Sequence, residues 1–394
     1  MSAKQAANIV KKTPLFESHV KYGAKFAPYA GFQMPLLYKD QSHVESHHWV
    51  REKVGLFDVS HMMQHRVKGK NAQEFLQKIT PIDLDLLQPN SSSLSVLLNK
   101  DGGIIDDTII TKHRKDQFYM VTNAGCRDKD LQFIREELQA FDKVHHETFE
   151  STLLAVQGPA TAKLMQKFTP ENLAKITFGE TKFLSLQGLL DSEIHLSRTG
   201  YTGEDGFELS IPSSNEKESA QVRSFFEFLI DEHPDLVKPI GLAARDSLRL
   251  EAGMCLYGNE LSEDITPIEA SLAWVIPKSR RVDGASFNGS SKILQQLAAL
   301  KSFPRRRIGI LSDGPAPRSH SKVYEHSGEK VVGEVTSGSL SPTLGKNVSQ
   351  SYVDKSVKVG EKVQIMIRGK LREGEIVKLP FVENKFYRGR SGDY

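Results

Sequence analysis

The stretch RTGYTGEDGFEL (residues 198–209) combines a glycine-rich turn with the start of a strand. Its three glycines are evenly spaced, as in turns whose backbone N–H groups hold a phosphate. Here, however, Glu204 and Asp205 lie within the turn, and neither Lys-Ser nor Lys-Thr follows it. Because carboxylates repel phosphate, we expect any ligand of this turn to present N–H donors instead.

The strand that leaves this turn, FELSI, begins at Phe207. Side chains on a strand alternate between its two faces, so Phe207, Leu209 and Ile211 share one face and Glu208 lies on the other. Glu208 is therefore a surface carboxylate by default. It becomes a ligand contact only if another part of the chain covers its face.

Two adjacent aspartates occupy a second predicted strand, within DGGIIDDTII (101–110). Because neighbouring side chains on a strand point to opposite faces, at most one of Asp106 and Asp107 faces a given pocket. Asp107 is expected to share its face with Ile105 and Ile109. An aspartate is unfavourable to bury among isoleucines unless it is paired or functional. The alternative, one solvated and one capping aspartate, stays open at this point.

The next predicted strand, QFYMVTNAG (117–125), follows a polar turn. This order predicts a hairpin with the aspartate strand, which would bring Asn123 near the two carboxylates. Asn123 is then either a turn residue or a hydrogen-bond partner for a ligand.

Two helices are indicated by apolar residues at helical spacing. The first, 215–232, has Asn215 as its N-cap and buries an apolar face made of Val222, Phe225, Phe226, Leu229 and Ile230. The second, GLAARDSLRLEAG (241–253), places Arg245 and Arg249 four residues apart on one face, with Asp246 adjacent. Such a polar stripe is either an internal salt-bridge network or the wall of a polar pocket, and the residues alone favour the network.

Histidine and cysteine patterns do not indicate a metal site. His43 and His47 lie four apart in HVESHH (43–48), but no acidic third ligand follows, and a solvated helix face is the favoured interpretation. Cys126 and Cys255 are the only cysteines, which excludes a disulfide framework and a cysteine metal site. We therefore predict no metal.

Composition describes an ordinary globular chain and limits its partners. A net charge of +3 over 394 residues, without a basic tract interleaved with aromatics, argues against nucleic acid. No stretch of about 18 apolar residues is present, so no transmembrane helix is predicted. Residues 1–16 carry three lysines and no acid, which is compatible with organelle import and places a possible targeting segment at 1–12.

The pattern of predicted secondary structure changes near residue 300. Strand-like and helix-like runs alternate over 13–280, and a short amphipathic helix is predicted in KILQQLAALKSF (292–303). From about 306 onward, short strands separated by glycine turns predict a small β-barrel or sandwich. We place a domain boundary around residue 300.

Seven segments in one order resemble the glycine-cleavage T-protein family of tetrahydrofolate-dependent aminomethyltransferases. The resemblance extends over nearly the whole chain, from about 12 to 388, and the seven segments are highly specific in combination: 12–38, VGLFDVSHM (54–62), GGIIDDTIIT (102–111), VTNAGCRDKD (121–130), SRTGYTGEDGFEL (197–209), GLAARDSLRLEAGMCLYG (241–258) and GEVTSGSLSPTLG (333–345). A related folate-binding branch, linked to iron–sulfur cluster assembly, has a Lys-Gly-Cys-Tyr-type motif that this chain lacks.

The resemblance implies an α+β, three-lobed folate-binding aminomethyltransferase fold with a C-terminal β-barrel. Two intertwined α+β lobes would span 13–280, and the barrel would span 303–388. The resemblance implies that Asp107 is the catalytic carboxylate and that Glu208 binds the amino-pyrimidine edge of the pterin. The other positions it assigns to the folate pocket are Arg245, Asn123, Tyr201 and Met62. Phe386, Tyr387 and Arg388 fall near the family's folate-tail contacts.

The implied reaction moves a one-carbon unit to tetrahydrofolate in glycine catabolism. An aminomethyl group on the lipoyl arm of the H-protein gives 5,10-methylenetetrahydrofolate, ammonia and the dihydrolipoyl carrier. Neither a nucleic acid nor a membrane is an expected partner, and the location implied in eukaryotes is the mitochondrial matrix. Two alternatives are a non-catalytic folate-binding or assembly factor and a chain in which none of these residues meets a ligand. Asp107, Glu208 and Arg245 together favour the enzyme.

Overall fold

The structure, a computed structural model, describes residues 10–299 and 303–389. Most of the predicted targeting segment, residues 1–9, lies outside the described residues. Within the described residues, no helix has the length and apolar character needed to cross a membrane.

Eight α-helices lie within the described residues. In chain order they are α1 (Phe16–Lys21), α2 (His43–Glu52), α3 (Ala72–Ile79), α4 (Arg127–Leu138), α5 (Thr161–Met165), α6 (Glu216–Asp231), α7 (Leu242–Glu251) and α8 (Ser290–Ala298). The predicted helices at 215–232 and 241–253 are confirmed as α6 and α7. As predicted, the Asn215 side chain caps α6 by accepting a hydrogen bond from the backbone N–H of Glu218.

The strands of the two α+β lobes are numbered β1 to β13. They are β1 (Ala24–Tyr29), β2 (Phe32–Tyr38), β3 (Val54–Asp58), β4 (Met63–Lys68), β5 (Ser91–Leu98), β6 (Ile104–Arg114), β7 (Gln117–Thr122), β8 (His145–Phe149), β9 (Ser151–Gln157), β10 (Thr181–Leu184), β11 (Ile194–Ser197), β12 (Gly206–Pro212) and β13 (Val237–Pro239). The first two strands form a separate antiparallel hairpin.

The remaining eleven strands form two sheets that share the chain in an intertwined way. One sheet has six strands in the order β10-β11-β12-β9-β3-β13, and the other has five in the order β5-β6-β7-β4-β8. The chain enters the six-stranded sheet at β3, leaves to build the whole five-stranded sheet, and returns at β9. This path is the intertwined α+β arrangement expected from the sequence.

Each sheet is stabilised by helices packed on an apolar face. Helix α6 covers one face of the six-stranded sheet, where the Phe225 and Phe226 side chains join Phe207 and Leu209 of β12 in one buried cluster. On the opposite face, α7 packs through Leu248 against Phe57 of β3 and neighbouring buried residues. Helix α7 is thereby held between the sheet and the C-terminal domain, because it also contacts two barrel strands described next.

The C-terminal domain is a closed six-stranded barrel, which is one of the two alternatives predicted from the strand and glycine pattern and the one implied by the resemblance. Its strands are β14 (Arg305–Ser312), β15 (Lys322–Glu325), β16 (Val331–Leu340), β17 (Asn347–Asp354), β18 (Lys362–Ile367) and β19 (Lys370–Val377), in the order β14-β17-β16-β15-β18-β19. Alternate valine and isoleucine side chains fill its interior. Helix α7 contacts β16 and β17.

Candidate functional site

Asp107 lies on β6 of the five-stranded sheet, on the face that looks toward the six-stranded sheet. The lining of a small cavity between the sheets includes Ile109 and Val121 from β6 and β7, and Glu208 from β12. Asp107 is half-buried and directly precedes this lining on its own strand face. The predicted position of Asp107 beside Ile109 is thus confirmed.

The prediction that Ile105 shares the face of Asp107 is wrong. The ladder between β5 and β6 pairs Leu97 with Asp106 but Leu98 with Ile104, which leaves Ile105 as an extra residue in a bulge. Ile105 therefore packs in the same apolar cluster as Leu97 and Ile110, on the Asp106 side of the strand. One inserted residue shifts the alternation that precedes Asp106.

Asp106 and Asp107 point to opposite faces, as predicted, but Asp106 is not solvated. Its side chain is fully buried, which rules out the solvated alternative. The β6–β7 hairpin is also confirmed, and it brings Asn123 between the two carboxylates. The Asn123 amide Nδ2 donates to Asp107 Oδ1 at 2.7 Å and to Asp106 Oδ1 at 2.9 Å, and its backbone N–H donates to Asp106 Oδ2 at 2.8 Å.

The Asp107 carboxyl has an unusual proton affinity. Burial, followed by the charge of Asp106, raises its pKa from 3.8 to about 7, against the opposing hydrogen bond from Asn123. A carboxyl with this pKa can both accept and release a proton at neutral pH, which an ordinary surface aspartate does not do.

Glu208 is half-buried because β6 and β7 cover its face of β12. Its Oε2 accepts a hydrogen bond from Thr199 Oγ1 at 2.8 Å. A groove of about 520 Å³ adjoins the Glu208 cavity and shares Tyr119, His195 and Ser210 with it. Phe183, which also lines the groove, is 51% exposed, so the groove opens to the surface. The condition set for Glu208 as a ligand contact, a covered face, is met.

The two acids inside the glycine-rich turn serve the fold. Arg198 forms a paired contact with Asp205, at 2.9 Å and 2.6 Å, and Glu204 accepts from Arg51 at 3.1 Å. Packing also requires glycine at position 200, because a Cβ there would lie 1.9 Å from Gln157 Oε1. Of the acidic side chains in this stretch, Glu208 is the one that faces the cavity.

The two arginines of α7 differ in their surroundings: one is paired in a salt-bridge network, and the other has an unpaired donor. Arg249 is buried in a salt-bridge network with Asp246 at 2.8 Å and Glu260 at 2.9 Å. Arg245 is half-buried with its guanidinium 4.8 Å from the ring centroid of Tyr201, and its Nη1 is buried without a hydrogen-bond partner among the described residues. An unsatisfied buried donor is unfavourable, so Arg245 is suited to receive an acceptor from a ligand.

Tyr201 and Met62 complete the predicted set. The Tyr201 hydroxyl donates to the backbone carbonyl of Cys255. Burial, and to a smaller extent the negative charge of Asp107, holds the pKa of the Tyr201 hydroxyl well above its usual range. Met62 packs half-buried against an apolar cluster that includes Leu153, which also lines the Glu208 cavity.

The expected solvated position of the histidine helix is wrong for His47. This side chain is fully buried, with Nδ1 2.8 Å from Ser247 Oγ and Nε2 3.0 Å from Glu251 Oε2. Glu251 also receives a hydrogen bond from Thr343, which lies in the loop between β16 and β17. The helix therefore ties α7 to the barrel, a contact that H-x-x-x-H spacing does not reveal.

Asp130 on α4 is the functional candidate that the sequence reasoning missed. It is fully buried next to Asp106 and Cys126, with one ligand-type atom of each residue within 4.8 Å of the others. A signal was available, because Cys126, Asp130 and the buried Ile134 repeat every four residues and share one helix face.

Comparison with known proteins identifies the family to which this site belongs. A model of the GCVT N-terminal domain matches residues 15–280, and a model of the glycine cleavage T-protein C-terminal barrel domain matches residues 305–383. The chain belongs to the glycine cleavage T-protein family.

Relatives of this T-protein family agree over nearly the full length. The chain is 47% identical to the mitochondrial aminomethyltransferase of Pisum sativum, with 96% of this chain and 91% of the relative covered. It is 46% identical to that of Saccharomyces cerevisiae, with 98% of each covered. The crystal structure of glycine cleavage system aminomethyltransferase T from Bartonella henselae matches with a TM-score of 0.86 at 36% identity, covering 96% of this chain and 100% of that one.

These findings confirm the fold class and the activity predicted from the sequence. The chain is a tetrahydrofolate-dependent aminomethyltransferase of the glycine cleavage system, and folate is its co-substrate. The predicted mitochondrial location is confirmed by relatives from plants and yeasts. The roles of individual residues stay predictions, which we take up next.

Proposed function

We propose that Asp107 is the catalytic carboxylate and that Glu208 and Arg245 hold the pterin of tetrahydrofolate in front of it. The observations that support this proposal are a half-buried carboxyl with a raised pKa on the strand face that leads into the cavity, one carboxylate acceptor on the wall of that cavity, and one buried donor without a partner among the described residues. Among the predicted residues, Glu208 offers the acceptor and the unpaired Nη1 of Arg245 offers the donor.

The donor and acceptor pattern fits a pterin. The amino-pyrimidine edge presents N–H donors to the carboxylate of Glu208, and the ring carbonyl oxygen accepts from Arg245. The ring of Tyr201 holds the Arg245 guanidinium in place by a cation–π contact. Asn123 and Met62 form the polar and apolar walls at the Asp107 end.

The aminomethyl group is delivered by the lipoyl arm of lipoylated H-protein. In the balanced reaction, the folate nitrogens N5 and N10 form bonds to the methylene carbon, and its bonds to sulfur and to the amino nitrogen break. One proton from the two folate N–H groups goes to the departing ammonia and the other to the dihydrolipoyl sulfur. Asp107 accepts the proton of the attacking nitrogen and returns it to a leaving group, while the pocket holds both reactants in register.

Turnover with aminomethyl-loaded H-protein, in the presence and absence of tetrahydrofolate, tests this proposal. We expect methylenetetrahydrofolate and ammonia in equal amounts with wild-type protein, and loss of product with Asp107→Asn. A chain that binds folate tightly but forms no methylenetetrahydrofolate would instead be a folate-binding assembly factor.

A further inference from the structure

Three aspartates, Asp106, Asp107 and Asp130, lie near Asn123 and the start of α4, and only Asp107 has a role in the proposed reaction. Asp130 is fully buried, and neither of its carboxyl oxygens accepts a hydrogen bond from another group in residues 10–299 and 303–389. Its carboxyl lies against that of Asp106, which is also fully buried. Two ionised carboxylates in this position would repel each other, so a proton or a cation must lie between them.

Asp106 is the member of this pair better suited to carry the negative charge, although burial raises the pKa of its carboxyl as well. Each of its oxygens accepts a hydrogen bond from Asn123, at 2.8 Å and 2.9 Å, and the Cys126 thiol is a further donor to it. Groups that donate to a carboxylate favour its charged form. Near Asp130 the corresponding donor is the Thr122 hydroxyl, which lies outside normal hydrogen-bond geometry. Asp130 has fewer donors than Asp106, so it is the member of the pair suited to hold the proton and to donate it to Asp106.

We propose that Asp130 is a positioning residue: as a neutral acid, it donates a hydrogen bond to Asp106, and this bond fixes Asn123 and through it Asp107. The chain of contacts runs from α4 through the Asp106 carboxylate to the Asn123 amide, which donates to Asp107 at 2.7 Å. The proposal deepens the proposed function, since it rests on Asp107 as the catalytic group.

The charged and titratable groups around Asp130 agree with a proton rather than a cation. They are Asp106 on β6, Cys126 in the turn before α4, and Lys129 on the same helix. Burial, followed by the charge of Asp106, raises the pKa of Asp130 to about 9. Burial also raises the pKa of the Cys126 thiol, so this sulfur is a neutral donor and a poor metal ligand.

The protonated state of Asp130 is tested by measuring melting temperatures of the full chain between pH 5 and pH 9.5 without folate. Asp130→Asn keeps an N–H donor toward Asp106 but cannot ionise. An acid whose pKa is raised on folding loses stability as pH rises, so the melting temperature of Asp130→Asn should increase relative to wild type across this range. Asp128→Asn, an exposed change on the first turn of α4, is the matched control and should show a constant difference.

A constant difference for Asp130→Asn would show that Asp130 is ionised in the folded chain and would overturn the proposal. Loss of stability on adding EDTA to wild-type protein would assign a cation to the pair and overturn it as well. These readouts do not depend on turnover, so they separate this proposal from the role of Asp107.

Positioning is tested by kcat and KM at pH 7.5 with loaded H-protein. Asp130→Asn should keep kcat within about threefold, because the donor is retained. Asp130→Ala removes the donor and should lower kcat at least tenfold with little change in the KM for folate. Equal kcat values for Asp130→Ala and Asp128→Asn would overturn the positioning role. If Asp130→Ala does not fold, a loss of kcat beyond tenfold in the folded Asp130→Asn variant would overturn the positioning role instead.

Discussion

Asp107→Asn should make the protein more stable and nearly inactive. The shape of the side chain and its acceptor oxygen for Asn123 are retained, but the titrating group is lost. The pKa of Asp107 is raised from 3.8 to about 7 by burial and by Asp106. At about 1.4 kcal/mol per pKa unit, this corresponds to a cost of at most about 4 kcal/mol for ionising Asp107 in the folded chain.

The sign of the pH dependence follows from which state binds the proton. Below pH 4, Asp107 is neutral in the folded and unfolded chains, and the variant and wild type should melt alike. Between pH 4 and pH 7 the unfolded wild-type chain ionises first, so wild type loses stability relative to Asp107→Asn. Above pH 7 the difference is constant, and since about 1 kcal/mol shifts Tm by roughly 2–4 °C in medium-sized domains, it should reach several degrees.

The assay pairs melting curves from pH 4 to pH 8.5 with turnover of loaded H-protein. Asp101→Asn, an exposed change in the turn before β6, is the control and should alter neither quantity. A Tm difference that does not vary with pH would refute the account of the Asp107 environment. Turnover close to wild type in Asp107→Asn would refute its catalytic role.

Four further variants separate binding, stability and chemistry. Glu208→Ala leaves pterin N–H donors unpaired at a cost of about 1–3 kcal/mol, so a tetrahydrofolate titration should show a Kd raised roughly tenfold to a few hundredfold. Arg245→Ala should also weaken folate binding, with little loss of Tm. Arg249→Ala should lower Tm strongly, because Glu260 is left unpaired and the free energy of unfolding falls by about 3–5 kcal/mol. Asp106→Asn should lower Tm, since an amide NH₂ replaces an acceptor of Asn123, and should shift the acidic limb of the pH–rate profile to lower pH by removing the charge that raises the Asp107 pKa. An unchanged Kd in the first variant, equal Tm losses in the two arginine variants, or an unmoved acidic limb would each contradict the corresponding assignment.

Most of the fold could be predicted because local patterns and tertiary packing agree. The apolar face of α6 and the alternation around Phe207 point to the same buried cluster in which both are found. Glycine turns between short strands predict a small β-barrel or sandwich, and the family resemblance decides for the barrel. The bulge at Ile105 was not predictable, because one inserted residue leaves the local pattern of the strand unchanged while shifting its side chains to the other face.

The site could be predicted less completely, since partners distant in sequence decide the role of a charged side chain. Arg245 and Arg249 look equivalent on α7, and only the positions of Glu260 and Tyr201 distinguish the paired arginine from the unpaired one. The acid Glu204 lies in the turn for which a ligand with N–H donors is predicted, but it pairs with Arg51, about 150 residues earlier in the chain. The sequence predicts a solvated His47 because its partner Glu251 lies on another helix.

The central claim is that Glu208 holds the folate while Asp107 carries the proton, and one paired measurement tests it most directly. Tetrahydrofolate Kd and the single-turnover rate of a carbon-labelled aminomethyl group are measured for Asp107→Asn and Glu208→Ala at saturating folate. We predict that Asp107→Asn keeps its Kd within a few fold and transfers almost no label. Glu208→Ala should have a weakened Kd and regain much of its transfer rate at saturation. The opposite pattern, weakened binding in Asp107→Asn and an unchanged Kd in Glu208→Ala, would contradict the account.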